Sequence, residues 1–339
     1  MPHFDNLVFP HTTQQPLPAD EALKELKKQS GRELDEDLIP KVIEFLESNS
    51  GKSENYLRKR QMAVMQVALE DIIQKFKAGK ISPPVMPKVV REIQNVLKDP
   101  NSSAEKIAAV IEKDPTISLR LVSVANSPVY RGIEKIKSVQ AAIPRLGIKE
   151  TLNIVVAIAN RNLYETNKVQ YKLLMDKLWV HSLACAYGSR LLAQELGLED
   201  PDSLFSLGLV HDIGKALLLQ AFTQISPSKK IDMDVVAASI NEAHLRIGGA
   251  LLKLWAIADE YLEIVSMHEG PEFNPQTGKE LLVVNLANML SRDMGFSLFD
   301  EKVDFAQLES AKLLNIEPDA VIGIGEEIKK IIQDVAHLF

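Results

Sequence analysis

Apolar residues along this chain recur every three or four positions, the period of a helix face, and no run settles into the alternation of a half-buried strand. The pattern predicts an all-α fold. Leu57, Val64, Ala68, Ile72 and Phe76 mark one face of a helix opened by Ser53 and running to about Lys77, with Ala78-Gly79 closing it. That face can pack on its own domain or serve as a dimer or partner helix. Val89, Ile93, Val96 and Leu97 continue the pattern until Asp99-Pro100-Asn101 breaks it. Ser102 and Glu105 have the spacing of a capping box opening a helix over 104–113, and Asp114-Pro115 starts another with proline in its first turn. Ser138 can cap the next helix, and Gly147 punctuates before one over 149–159. Long helices are expected over 174–193, 204–221, 235–255, 258–267 and 280–292, with amphipathic segments over 305–314 and 320–338. Pro2, Pro10, Pro16 and Pro18 give residues 1–20 the look of an extended arm, with short helices after Asp20 and over 39–47.

Composition narrows the class. The chain has 339 residues, 46% of them hydrophobic and 25% charged, ordinary values for a water-soluble protein with a sizeable core. A net charge of −7 argues against a general nucleic-acid binder, which presents a basic face. Cys185 is the single cysteine, so no disulfide framework or cysteine-rich zinc site can form within one chain. It is expected to be a small buried hydrophobe one turn beyond His181. No apolar run approaches the ~18 residues of a membrane span, and the N-terminus lacks a signal-peptide layout. A cytoplasmic location is the expectation.

Chemistry concentrates in four histidines, His181, His211, His244 and His268, separated by 30, 33 and 24 residues. Each interval is long enough to put every imidazole on a different helix of one bundle, the way bundle cores build metal sites. His211-Asp212 lies in a strongly apolar run read as a buried helix, where a bare imidazole and carboxylate need either a metal ion or a closed hydrogen-bond network. Gly214 would admit a close neighbour. Lys215, one turn from His211, can neutralise a phosphate or reach out to solvent. Asp176 and Glu269 are read as solvated. Residues 140–150 have a helix-turn-helix outline, but the continuation Thr151-Leu152-Asn153-Ile154-Val155-Val156 is too apolar to read a groove, so packing is the expectation.

His211-Asp212-Ile213-Gly214-Lys215, preceded by His181, resembles the HD superfamily of metal-dependent phosphohydrolases. The wider pattern resembles its HDOD branch. It comprises Pro83-Pro84-Val85-Met86-Pro87, Ile111-Glu112-Lys113-Asp114-Pro115, Ala125-Asn126-Ser127-Pro128, Ile143-Pro144-Arg145-Leu146-Gly147, Trp179-Val180-His181-Ser182 and Ala243-His244-Leu245-Arg246-Ile247-Gly248. The resemblance covers about residues 81–300. It implies a two-lobed all-α fold: a helical lobe over 81–163, a degenerate HD-type lobe over 164–300, a helical closure over 301–339 and an N-terminal extension over 1–80. Departures accompany it. Asn288, after Ala287, stands where the catalytic relatives carry aspartate, Met267 precedes His268 where the HD-GYP type has tandem histidines, and Lys177 replaces a glutamate. The Gly-Tyr-Pro signature is missing as well.

These departures imply a bacterial signalling or regulatory module that binds a partner protein or small ligand without turnover, its default binding place the cleft between the lobes. The alternative is a mononuclear metal-dependent phosphohydrolase acting on nucleotides or phosphodiesters, with Asp212 and Lys215 as candidate catalytic groups. His181, His211, Asp212, His244 and His268 are the candidate ligands for one divalent ion, Fe, Mn, Zn or Ni. No further carboxylate is expected beside Asn288 to make up for the missing aspartate, and two ions are not expected. Nucleic acid and membrane are not expected partners. A homodimer through the N-terminal helices is.

Overall fold

The computed structural model describes residues 88–339, apart from 100–101, 226–232, 255–257, 271–272 and 300, together with Glu70, residues 73–75 and Ala78. The expected arm, the two short N-terminal helices and nearly all of the 53–77 helix fall outside the described residues. Among the described residues every regular element is helical and there is no strand.

The first five helices are α1 (Lys88–Lys98), α2 (Ala104–Ile111), α3 (Pro115–Ala125), α4 (Val139–Leu146) and α5 (Ile148–Arg161). Local chemistry sets their ends. Ser103, rather than Ser102, caps α2, accepting from the Lys106 backbone N–H at 3.4 Å. Asp114 caps α3 through the N–H groups of Thr116 and Ile117 at 2.9 and 3.1 Å, with Pro115 in the first turn. Ser138 caps α4 through Ala141 N–H. Gly147, at φ 82°, turns α4 into α5 through backbone that disfavours a Cβ. Ile154, Val155, Ala157 and Ile158 of α5 are buried in the common core, as the packing reading of the helix-turn-helix outline requires.

α6 (Val169–Glu195) is the central strut. It packs against α7 (Pro201–Val210), α11 (Lys279–Asp293) and α13 (Pro318–Val335). Buried all round through its middle, from Leu178 to Ser189, it has no single apolar stripe, and its core residues run from Tyr171 through Trp179 and Tyr187 to Ala193. α8 (Ile213–Ile225) lies against α9 (Met233–Leu254), and α9 against α10 (Asp259–Met267). α12 (Glu309–Leu314) rests on α11. α13 is amphipathic, with Val321, Ile324, Ile328, Ile331, Ile332 and Val335 buried on one face. The chain ends with Phe339 edge-on to Trp179, ring centroids 5.6 Å apart.

One buried polar cluster ties the early helices to the strut. Glu150 on α5 accepts from Arg190 on α6 and from the Tyr130 hydroxyl, and the Tyr130 and Tyr187 hydroxyls lie 3.2 Å apart. Arg190 also covers the Tyr187 and Phe205 rings. Cys185 is buried as expected, and burial pushes its thiol pKa up. The stretch Pro201–Thr223 is long and apolar enough to span a membrane, but 83% of its window is buried inside the fold.

Candidate metal centre

The run over 204–221, expected as one helix, is two. α7 ends at Val210, His211-Asp212 form the turn, and α8 starts at Ile213. The turn is tightened by Lys215 N–H donating to the Asp212 carbonyl at 2.9 Å. Breaking the helix here frees the two side chains from the ~100° divergence of neighbours on a helix, and both point into one pocket. Gly214 does what its type suggested. A Cβ there would lie 2.2 Å from the His244 carbonyl oxygen, so only glycine lets α8 approach α9 closely enough to bring His244 to Asp212. Gly208 has the same role between α7 and α6, where a Cβ would lie 2.7 Å from the Cys185 carbonyl.

All four histidines meet at Asp212. On one side, His181 Nε2 and His211 Nε2 lie 3.3 and 3.5 Å from Asp212 Oδ2 and 3.2 Å from each other. On the other, His244 Nε2 and His268 Nε2 each lie 3.3 Å from Asp212 Oδ1 and 3.4 Å from each other. None of the five is more than 2% exposed.

The hydrogen bonds fix the tautomers. Each Nδ1 faces a backbone carbonyl, which can only accept: Phe296 for His181 and Gly208 for His211, both at 2.7 Å, Asn241 for His244, and Ile264 for His268 at 3.0 Å. Every Nδ1 therefore carries the proton, and a neutral ring then offers a lone pair at Nε2. Burial holds His211 well below the usual histidine pKa and takes His244 down to about 4, so both are neutral at pH 7. Burial opposes ionisation of Asp212, but the Lys215 ammonium outweighs it and the carboxyl is held well below the usual range. The Nε2 lone pairs of His211 and His244 and the Asp212 carboxylate thus converge, with the Nε2 atoms of His181 and His268 beside them, and among the described residues Asp212 Oδ1 has no hydrogen-bond donor.

The donors fall into two sets that share Asp212, one with His181 and His211 and one with His244, His268 and Glu269, and each set fits a metal ion. Ligands at about 2.1 Å from one ion stand about 3.0 Å apart at right angles and about 3.4 Å apart in a tetrahedron. The measured separations of 3.2 to 3.5 Å fall in or beside that range. Imidazole-rich sets suit Fe, Zn or Ni, whereas Mg and Ca prefer oxygen. The backbone carbonyls behind each Nδ1 supply the outer shell that orients ligating imidazoles.

Lys215 and Glu269 depart from expectation. Lys215 does not reach solvent. Its side chain is 5% exposed, and Nζ donates to Asp212 Oδ2 at 2.8 Å and lies 3.3 Å from Glu269 Oε1. Glu269 is not a solvated residue. It is 18% exposed, lies 3.7 and 3.8 Å from the Nε2 atoms of His244 and His268, and is ion-paired with Arg292. The cause is the end of α10, where the chain turns after Met267 and presents residues 268 and 269 inward together. A second carboxylate therefore does stand beside the centre, contrary to the sequence expectation, and Asp212, His244, His268 and Glu269 form one potential ligand group. Burial opposes ionisation of Glu269, yet Lys215 and then Arg292 prevail and keep its pKa low. Asp176 is 44% exposed and pairs with Arg161, away from the histidines. Asn288 is fully buried with both amide atoms unpartnered.

The chain is an all-helical bundle with a His-Asp turn at its heart. The model of the HDOD domain matches residues 84–271, more than half of the chain, and the chain belongs to that family. Solved structures share the fold. An HDOD domain protein of unknown function from Geobacter sulfurreducens is 22% identical, with TM-score 0.64 over 79% of this chain and 97% of the other. A protein from Shewanella amazonensis SB2B, provisionally named a metal-dependent phosphohydrolase, is 23% identical, with TM-score 0.60 over 79% of this chain and 98% of that one. A provisionally named signal transduction protein from Marinobacter aquaeolei VT8 is 19% identical, with TM-score 0.58 over 94% of this chain and 72% of its own. No curated protein matches.

Proposed function

We propose that this HDOD protein is a regulatory module whose His-Asp centre holds a single structural or sensing ion and does not turn over substrate. The observation that carries the reading is the closure of the centre. Catalytic metal sites keep a coordination position open to substrate and water, whereas structural sites are closed. Here all five ligand candidates are buried, and Lys215 fills the gap between Asp212 and Glu269 that a second cation would need. Arg292 covers Glu269 from the outer side. His181, His211, His244 and His268 would supply nitrogen and Asp212 the one firm anionic ligand. The neutral amide of Asn288 adds no charge. A bound ion would satisfy the facing lone pairs and lock four helices together. Output then comes from binding a small ligand or a protein partner that prefers the ion-bound or the ion-free state and so biases the balance between them.

One feature favours the second reading, a metal-dependent phosphohydrolase. Asp212 presents each oxygen to a separate pair of imidazoles, an arrangement two ions could share, and Glu269 is at hand. Metal analysis of the purified full chain, with a hydrolysis screen on nucleotides, cyclic dinucleotides and a generic phosphodiester, separates the two. The regulatory reading expects no more than one ion per chain and no turnover. Hydrolysis that disappears in Asp212→Ala supports the enzyme.

A further inference from the structure

The four histidines and Asp212 are buried, so an ion reaches them only where some part of the surrounding wall gives way. One member of the second donor set shows where. Asp212, His244 and His268 are sealed, whereas the Glu269 side chain is 18% exposed. Its Oε1 lies 3.7 and 3.8 Å from the Nε2 atoms of His244 and His268. Glu269 also lines a cleft of about 620 Å³ beside α11 and α12, whose wall includes Asn285, Met289, Arg292 and Glu309. A single side chain thus borders both the centre and the cleft.

The groups around Glu269 have the properties of a latch on a fixed frame. Arg292 holds the carboxylate from the cleft side, and Lys215 holds it from within, with Nζ at 3.3 Å. Arg292 is itself 16% exposed, and ion pairs that water can reach part more readily than sealed ones. On releasing Glu269 it keeps Glu301, whose carboxylate lies 3.4 Å from its other terminal nitrogen. The frame stays in place. Asn285 Nδ2 donates to the His268 carbonyl at 2.8 Å, and His268 Nδ1 donates to the Ile264 carbonyl at 3.0 Å, so this imidazole is fixed independently of the Glu269 side chain. Among the residues lining the cleft, the carboxylates of Glu269 and Glu309 stand against the one guanidinium of Arg292, an excess of negative charge that gathers cations. We infer that this cleft is the route by which a divalent cation enters and leaves the centre, with the Glu269–Arg292 pair as its gate. Glu269 receives the cation in place of Arg292, passes it to His244, His268 and Asp212, and closes on Arg292 again. This gate rests on the ion-holding centre proposed above and adds a control on its loading: residues outside the final ligand set govern how fast the ion exchanges.

The test is stopped-flow mixing of the chelator-stripped full chain with cobalt(II), whose ligand-field absorption reports uptake, followed by transfer to excess chelator, which reports release. Met289→Trp narrows the cleft without changing its charge. It is expected to slow uptake and release alike, at least ~10-fold, with affinity held within about 3-fold, since an obstructed route alters rates and not the equilibrium. Glu269→Gln removes the receiving charge and is expected to slow uptake about 10-fold or more without speeding release. Arg292→Gln frees Glu269 and is expected to speed uptake. Unchanged rates in Met289→Trp and Glu269→Gln would overturn the route, as would slower uptake in Arg292→Gln. Faster release with unchanged uptake in Glu269→Gln would also overturn it, because Glu269 would then be a permanent ligand. Failure of the wild-type chain to take up cobalt would instead overturn the ion-holding centre, and hydrolysis by the loaded protein would overturn the regulatory function while leaving the exchange rates as predicted.

Discussion

Replacing Lys215 with methionine isolates the charge balance of the centre. The Lys215 ammonium is 2.8 Å from Asp212 and 3.3 Å from Glu269, with a side chain only 5% exposed. Methionine keeps much of the stem volume and removes the positive charge. Among the described residues Asp212 then loses its only ammonium partner, while Glu269 retains Arg292. Breaking a buried ion pair by removing one partner costs about 3–5 kcal/mol, and that loss is expected in chelator. A divalent ion supplies the missing positive charge, so the deficit is expected to shrink to about 1–2 kcal/mol when Zn or Fe is present. By linkage, the difference of about 2–3 kcal/mol appears as ion affinity some 30- to 150-fold above wild type. Denaturant unfolding with and without ion, together with competitive metal titration, measures both quantities. An equal loss of stability in the two conditions, or a loss below about 1 kcal/mol in chelator, would refute the charge-balance argument.

Three further outcomes are expected. Gly214→Ala drives a Cβ to 2.2 Å from the His244 carbonyl, and overpacking of this kind costs about 1–3 kcal/mol, so thermal unfolding should start lower and retained metal should fall. Acidification should destabilise the ion-free protein. His211 and His244 stay neutral in the fold but take up protons in the unfolded chain from about pH 6.5 downward, so between that pH and about 4 the unfolded state binds more protons and stability falls by up to about 1.4 kcal/mol per pH unit for each. Asp212 and Glu269, with depressed pKa values, extend the loss to lower pH, and a flat stability profile from pH 7 to 4 would contradict the neutral state assigned to His211 and His244. Asn288→Asp puts a carboxylate at a fully buried amide without a partner among the described residues, the position where the resemblance places an aspartate in catalytic relatives, and ion binding should tighten about 10-fold or more, read by competitive titration.

The helices were legible because apolar periodicity and caps such as Asp114, Ser138 and Gly147 act locally. The four-histidine set was legible for a related reason, since imidazoles in apolar helical runs must find partners. Two parts of the site were not. The break at His211-Asp212 leaves no trace in the pattern, because both flanking segments are equally apolar and no glycine or proline stands at the junction. Glu269 was misread as solvated because its sequence neighbours, Met267 and Gly270, look like an exposed helix end. The turn at the end of α10 presents it inward, where Lys215 and Arg292 meet it, and that tertiary meeting leaves no mark in the local sequence.

Anomalous diffraction from crystals grown with Fe or Zn tests the central claim most directly. The account predicts one ion per chain, ringed by His181, His211, His244, His268 and Asp212, with Lys215 still bonded to Asp212. Two ions sharing Asp212, with Glu269 drawn in as a ligand and Lys215 displaced, would contradict it.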